Sequence, residues 1–195
     1  MKYVLATKNK GKLEEFKKLF NKLGLEIISQ EEFNVGEIIE DGNSFEENSL
    51  IKAKVVAKAS GLITISDDSG LCIDDLNGEP GIYSARYFPE AKDYNEKCNK
   101  MIELVNEKNG TRKAKFVSVI TLYNPLTEET HFFKGECFGE ISKELKGDNG
   151  HGYDPIFYSY DLNKNFGEAS MEEKNTISHR GRAFSKLEEF LLLKK

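Results

Sequence analysis

The sequence predicts an α/β protein with a mixed sheet flanked by helices, and three observations carry that expectation. Short apolar runs alternate with longer stretches of helical periodicity from the N-terminus onward. Residues 114–123 and 130–137 are β-branched and aromatic on either side of Asn124-Pro125, which predicts an antiparallel meander and hence a mixed sheet or second lobe. A chain of 195 residues fits one domain, or two lobes sharing a sheet, and can bury a core without disulfides or structural metals.

Residues 2–6 predict a short buried strand, and Thr7-Lys8-Asn9-Lys10-Gly11-Lys12 a polar loop after it. Leu13, Phe16, Leu19, Phe20 and Leu23 then recur at helical spacing, with Gly24 as the stop. A loop that opens a helix points N–H groups and the positive end of the helix dipole outward, which suits phosphate. It is not a Walker A loop, because the first Gly is missing and Leu13 stands where Ser or Thr would follow the Lys. By themselves Lys8, Lys10 and Lys12 read more simply as a solvated loop.

Residues 25–29 predict a second strand, and 30–43 an irregular segment carrying Glu37, Glu40 and Asp41. Ser44 with Glu47 makes a capping box, so a helix is expected over 45–60 with Gly61 ending it. Glu40 falls just ahead of that helix start, where an acid is most simply dipole-stabilising or solvated. Residues 62–65 predict a third strand, which empties into Ser66-Asp67-Asp68-Ser69-Gly70 before a further apolar piece at 71–73. Adjacent carboxylates at a strand end are seldom there for the core.

Asn77-Gly78 and Pro80-Gly81 are turn signals, so residues 82–87 read as a positioned loop. Residues 93–106 predict a helix that ends in the Asn109-Gly110 turn. After the meander, the segment from Lys146 to Pro155 holds three glycines within six residues, followed by Tyr153, Asp154 and Pro155. Such a run fits a flexible hairpin loop, or a backbone that must approach something closely. Ser170 and Glu173 form a second capping box that places Lys174 in a short helix. Ala183, Phe184, Leu187, Phe190 and Leu191 then predict a last amphipathic helix, with His179 and Arg180 at or just before its start. Cations there oppose the helix dipole unless an anion is bound.

A hydrophobic share of 38%, a charged share of 31% and no apolar run near the ~20 residues of a membrane span predict a soluble protein without a membrane partner. Only four consecutive apolar residues follow Lys2, too few for a signal peptide, so a cytoplasmic location is expected. The three cysteines, Cys72, Cys98 and Cys137, lack Cys-x-x-Cys spacing and read as reduced fillers. A net charge of −5 argues against a nucleic-acid partner. Cations at both ends of the chain and acids between them imply a phosphorylated ligand with Mg²⁺, which takes one or two carboxylates plus phosphate oxygens. Asp68 and Glu40 could supply the carboxylates, and a carboxylate beside a metal-bound water can serve as general base.

Six stretches, in this order, carry a resemblance that spans nearly the whole chain. They are Ala6-Thr7-Lys8-Asn9-Lys10-Gly11-Lys12, Ser44-Phe45-Glu46-Glu47-Asn48, Asp67-Asp68-Ser69-Gly70-Leu71, and Gly81-Ile82-Tyr83-Ser84-Ala85-Arg86-Tyr87. Gly152-Tyr153-Asp154-Pro155-Ile156-Phe157 and Glu173-Lys174 with Ile177-Ser178-His179-Arg180-Gly181 complete the set. In them the chain resembles the Ham1-like (RdgB/HAM1) family of noncanonical purine nucleoside triphosphate pyrophosphatases.

The resemblance implies an elongated α/β protein with its site in a central cleft between two lobes, and a homodimer. It implies Mg²⁺-dependent hydrolysis of ITP, dITP and XTP to the monophosphate and pyrophosphate, which removes deaminated purines from the nucleotide pool. By the same resemblance Asp68 is the proton acceptor and a metal ligand, and Glu40 the second metal-associated acid. Asp67 then braces the turn or stands behind the ligands. Thr7, Lys8, Asn9, Lys10, Gly11, Lys12, Ser69 and Lys174 would hold phosphates and sugar. His151, Gly152, Tyr153 and Asp154 with His179 and Arg180 would frame the base, Tyr153 offering a stacking face. His151 departs from the family's pattern, in which Phe is common, so stacking there is weakened or replaced by a hydrogen bond. A metal-dependent phosphohydrolase acting on another nucleotide, and a nucleotide-binding module without turnover, are the competing expectations.

Overall fold

The computed structural model describes residues 1–194. The N-terminal part alternates strand and helix as its periodicity requires: β1 (Lys2–Leu5), α1 (Lys10–Lys22), β2 (Glu26–Ser29), α2 (Phe45–Ser60) and β3 (Ile63–Ile73). Then come α3 (Tyr94–Lys108), β4 (Lys113–Tyr123), β5 (Thr130–Ile141), β6 (Phe157–Ser159), β7 (Lys164–Asn165), α4 (Met171–Lys174) and α5 (His179–Leu193). The strands form one sheet of seven in the order β2-β1-β3-β4-β5-β6-β7.

That order makes the sheet mixed, as expected. β1 runs parallel to both neighbours, with Tyr3 opposite Ile27 and Ile63. The helical connections α1 and α2 are long enough for the crossovers that parallel strands demand. β6 pairs antiparallel with β5 and with β7. β4 and β5 are joined by residues 124–129, too short a link for a crossover, so they too run antiparallel.

The described residues divide into two compact units: Met1–Asp68, Val119–Lys134 and the residues from Ala183 on, and then Ser69–Ser118 with Gly135–Arg182. The core of the first contains Tyr3, Leu5, Phe16, Phe20, Ile65, Ile120, Ala183, Leu187 and Leu191. The core of the second is built on Leu71, Ile73, Met101, Val105, Phe116, Tyr153, Phe157 and Phe166. Among the described residues, no helix is long and apolar enough to cross a membrane.

The sequence signals for helix ends mostly hold. α2 starts and stops where Ser44 and Gly61 placed it, and Ser44 Oγ accepts from Glu47 N at 3.0 Å. Its capping box is only half closed, because the Glu47 carboxylate accepts from Asn43 N rather than from Ser44 N. The box at Ser170 and Glu173 closes in both directions. Two expectations are corrected. Lys10, Gly11 and Lys12 lie in the first turn of α1, not in a loop, because Asn9 caps the helix by accepting from Lys12 N at 3.1 Å. Asp67 and Asp68 do not close a strand either: β3, eleven residues long in all, runs through them from Ile63 to Ile73. Pairing within the sheet overrides the weak strand preference of Ser, Asp and Gly.

Cys98 and Cys137 are buried and Cys72 half-buried. Burial pushes the Cys98 thiol up to about 12 and raises that of Cys137 as well, so neither forms reactive thiolate near neutrality. A charged aromatic disulfide at pH 7.5 is expected to titrate Cys72 at most in the folded protein, and all three cysteines once it is denatured.

Candidate active site

In the first unit the chemistry gathers around Asp67. Alternation along β3 sends Asp67 and Asp68 to opposite faces. Asp67 is 4% exposed, and its Oδ2 takes a 2.7 Å ion pair from Lys12 Nζ. Lys12 reaches it because the Asn9 cap fixes the start of α1, where Asn9 N also donates to Thr7 Oγ1 at 3.1 Å. Thr7 is half-buried, whereas Lys8, Asn9, Lys10 and Gly11 are exposed at this helix start. The first turn of α1 contains no acid, so the dipole's positive end and Lys10 face solvent together.

Lys52, which the sequence reading passed over, ties the other candidate acid into this cluster. Its Nζ donates to the Asp67 carbonyl at 2.8 Å and forms an ion pair with Glu40 Oε1 at 3.3 Å. Glu40 is held ahead of α2 by a tight approach, in which Gly42 N donates to Asn48 Oδ1 at 2.8 Å. The signal for Lys52 was present in the spacing: it shares a face of α2 with Ser49 and Val56, both buried. A lysine on an inward-facing row has a partner to reach.

Asp68 is half-buried, with its Oδ2 shut off from solvent, and Ser69 follows it half-buried in the same strand. Among the described residues no three His, Cys, Asp or Glu side chains converge on one point. Asp68 and Glu40 are oxygen donors of the kind that Mg²⁺ takes beside water and substrate oxygens.

In the second unit the glycine run from Gly147 to Gly152 wraps a buried ion pair. Lys174 Nζ lies 3.4 Å from Asp154 Oδ2, and the two side chains are 11% and 10% exposed. Asp154 Oδ2 also accepts from His151 N at 3.2 Å. Gly150 has φ +76°, and a Cβ there would sit 2.1 Å from Asp154 Oδ2 and 2.8 Å from Lys174 Nζ. The close approach that the glycines suggested is thus to the protein's own charges. Gly150→Ala is expected to lower stability by about 1–3 kcal/mol through backbone strain alone, read as a shift in denaturation midpoint.

Tyr153 corrects another expectation. It is 4% exposed, its hydroxyl donates to Ser84 O at 3.0 Å, and its ring meets Tyr94 edge-on at 5.6 Å. No broad face is left for a base, and burial with neighbouring Tyr94 and Cys98 holds its phenol well above the usual range. His151 is exposed and Gly152 half-buried. His179 opens α5 and stacks on Phe116 at 4.8 Å and 17°. Arg180 is the next residue of that turn, which also lacks any acid, and Ser178 Oγ caps it by accepting from Gly181 N at 3.0 Å.

Fold and residues together define an open-sheet α/β protein with carboxylates inside one strand and cations at two helix starts. The chain belongs to the Ham1 family, whose model matches residues 3–190. It is 44% identical to the dITP/XTP pyrophosphatase of Bacillus cereus over 189 residues, covering 95% of this chain and 92% of that one. The structure superposes on the Ham1 protein of Staphylococcus aureus with TM-score 0.93 and 41% identity, covering 100% of each chain. It matches a HAM1 protein from Coxiella burnetii with TM-score 0.94 and 39% identity over 98% of each.

Proposed function

We propose that this protein is a nucleoside triphosphate pyrophosphatase that hydrolyses ITP, dITP and XTP to the monophosphate and pyrophosphate. The observation that carries the reading is the lysine pair on Asp67: Lys12 on its carboxylate and Lys52 on its carbonyl, beside Asp68 in β3. Two cations held rigidly at a strand of carboxylates suit a polyphosphate whose charge grows as the α–β anhydride bond breaks. Membership of the Ham1 family and the named activity of the Bacillus cereus relative support the choice of substrate.

Asp68 is assigned the proton of the attacking water, with Glu40 as the second metal-associated acid. Mg²⁺, when bound by these carboxylates, would neutralise phosphoryl charge and acidify water. Thr7, Lys8, Asn9, Lys10, Gly11, Lys12 and Ser69 are assigned to phosphates and sugar, and Lys174 likewise. His151, Gly152 and Asp154 with His179 and Arg180 are assigned to the base, Tyr153 acting by holding their loop rather than by stacking. Donors that pair with a 6-oxo group would be left unpaired by adenine, which rejects ATP. A cytoplasmic homodimer is the form we expect, to be checked by sedimentation.

Incubation with ITP, dITP, XTP, GTP and ATP tests the reading. Pyrophosphate and IMP should appear from ITP, with little product from ATP or GTP, and chelation of divalent ions should stop the reaction. Orthophosphate with IDP would instead make the protein a phosphohydrolase of another kind.

A further inference from the structure

We propose that the hydroxyls of Ser49, Ser66 and Thr121 are positioning residues for Lys52, and through it for Glu40 and the Asp67 backbone. The proposal rests on the hydrolase reading above. Ser49 belongs to α2, Ser66 to β3 and Thr121 to β4, and all three are 0% exposed. Ser66 Oγ donates to the Ser49 carbonyl, Ser49 Oγ donates to Thr121 Oγ1, and the two serine oxygens lie 3.0 Å apart. A hydroxyl in an apolar interior is costly unless partnered. Here each of three elements supplies one member, so α2 cannot slide or turn on β3 and β4 without leaving a hydroxyl unsatisfied.

The lock sits beside both ends of the bond it would register. Lys52 lies one helical turn beyond Ser49 on the same face of α2, and Ser66 directly precedes Asp67. Cohesion alone does not require these residues, since apolar groups of matching shape hold helix to sheet as well. Three interlocked hydroxyls fix a register, and the register fixes where the Lys52 ammonium meets the Asp67 carbonyl and Glu40.

Thr121→Val keeps the shape and removes the hydroxyl, whereas Thr121→Ser keeps the hydroxyl. Both are made in the parent and in a Lys52→Met background, with kcat and KM for ITP and the denaturation midpoint as readouts. Thr121→Val should lower kcat on the order of tenfold, as misplacement of a catalytic group does, and Thr121→Ser should restore it to within about twofold. In the Lys52→Met background the valine should cost less than about twofold. A falling midpoint with unchanged kcat, or the same kcat loss in both backgrounds, would overturn the proposal. Hydrogen exchange of the Lys52 ammonium, followed in lysine-¹⁵N-labelled protein, decides the matter without turnover. Slow exchange in the parent and in Thr121→Ser, but not in Thr121→Val, is expected; equal exchange in all three overturns the proposal. A parent that releases no pyrophosphate from any nucleotide would refute the hydrolase reading alone.

Discussion

Asp68→Asn is expected to lower turnover of ITP by about 10²–10⁴-fold, the range that follows from loss of a general base. The amide keeps the shape and the hydrogen-bonding reach of the side chain but cannot take a proton from water. The loss should therefore fall on kcat, with the thermal midpoint little changed. Asp67→Asn should behave differently. That carboxylate is buried against Lys12 at 2.7 Å, so its removal frees a cation that is only a quarter exposed. We expect a smaller fall in kcat, a rise in KM as Lys12 loses its anchor, and a measurable loss of stability. Stopped-time pyrophosphate assays on both variants, beside denaturant titrations, separate the two carboxylates. Equal losses of kcat would show that the division between them is wrong.

Asp154→Ala should strongly destabilise the second unit. Lys174 and Asp154 face each other almost wholly shielded from water, and Lys174 Nζ also stands 5.8 Å over the Phe166 ring. Removing one partner of such a pair costs about 3–5 kcal/mol, because the survivor is left charged and dry. The alanine also strips the acceptor from His151 N, so the glycine loop should loosen. Lys174→Met should cost a comparable amount for the opposite reason. The double variant, with no lone charge left behind, should be more stable than the sum of the two losses predicts. Strict additivity in denaturant titrations would mean that the pair is not coupled.

Much of the fold was written in local signals. Ser44 and Gly61 bounded α2, Asn124-Pro125 marked the turn between β4 and β5, and Ser170 with Glu173 announced α4. What local signals could not reveal was contact at a distance. Lys12 lies 55 positions from Asp67, so nothing in either neighbourhood says that the acid is neutralised and can continue as strand. The same holds for Tyr153, whose hydroxyl partner is 69 positions away. An aromatic that follows a run of glycines reads as an open ring until its burial is known. β7, two residues long, has no pattern to read at all.

The candidate residues were found chiefly because they break patterns: acids in a β-rich run, cations where a helix begins. Lys52 escaped because a lysine in a charged amphipathic helix breaks nothing. Its meaning appears only when the row Ser49, Lys52, Val56 is turned toward the sheet.

The first unit is stitched from separated lengths of chain, and its core sets Phe16 and Phe20 of α1 with Ala183, Leu187 and Leu191 of α5. On the ribosome, the part of the α1 face that α5 covers must therefore wait for a segment far along the chain to be made. Until then it is a sticky surface on a nascent chain, open to chaperones or to a neighbouring copy.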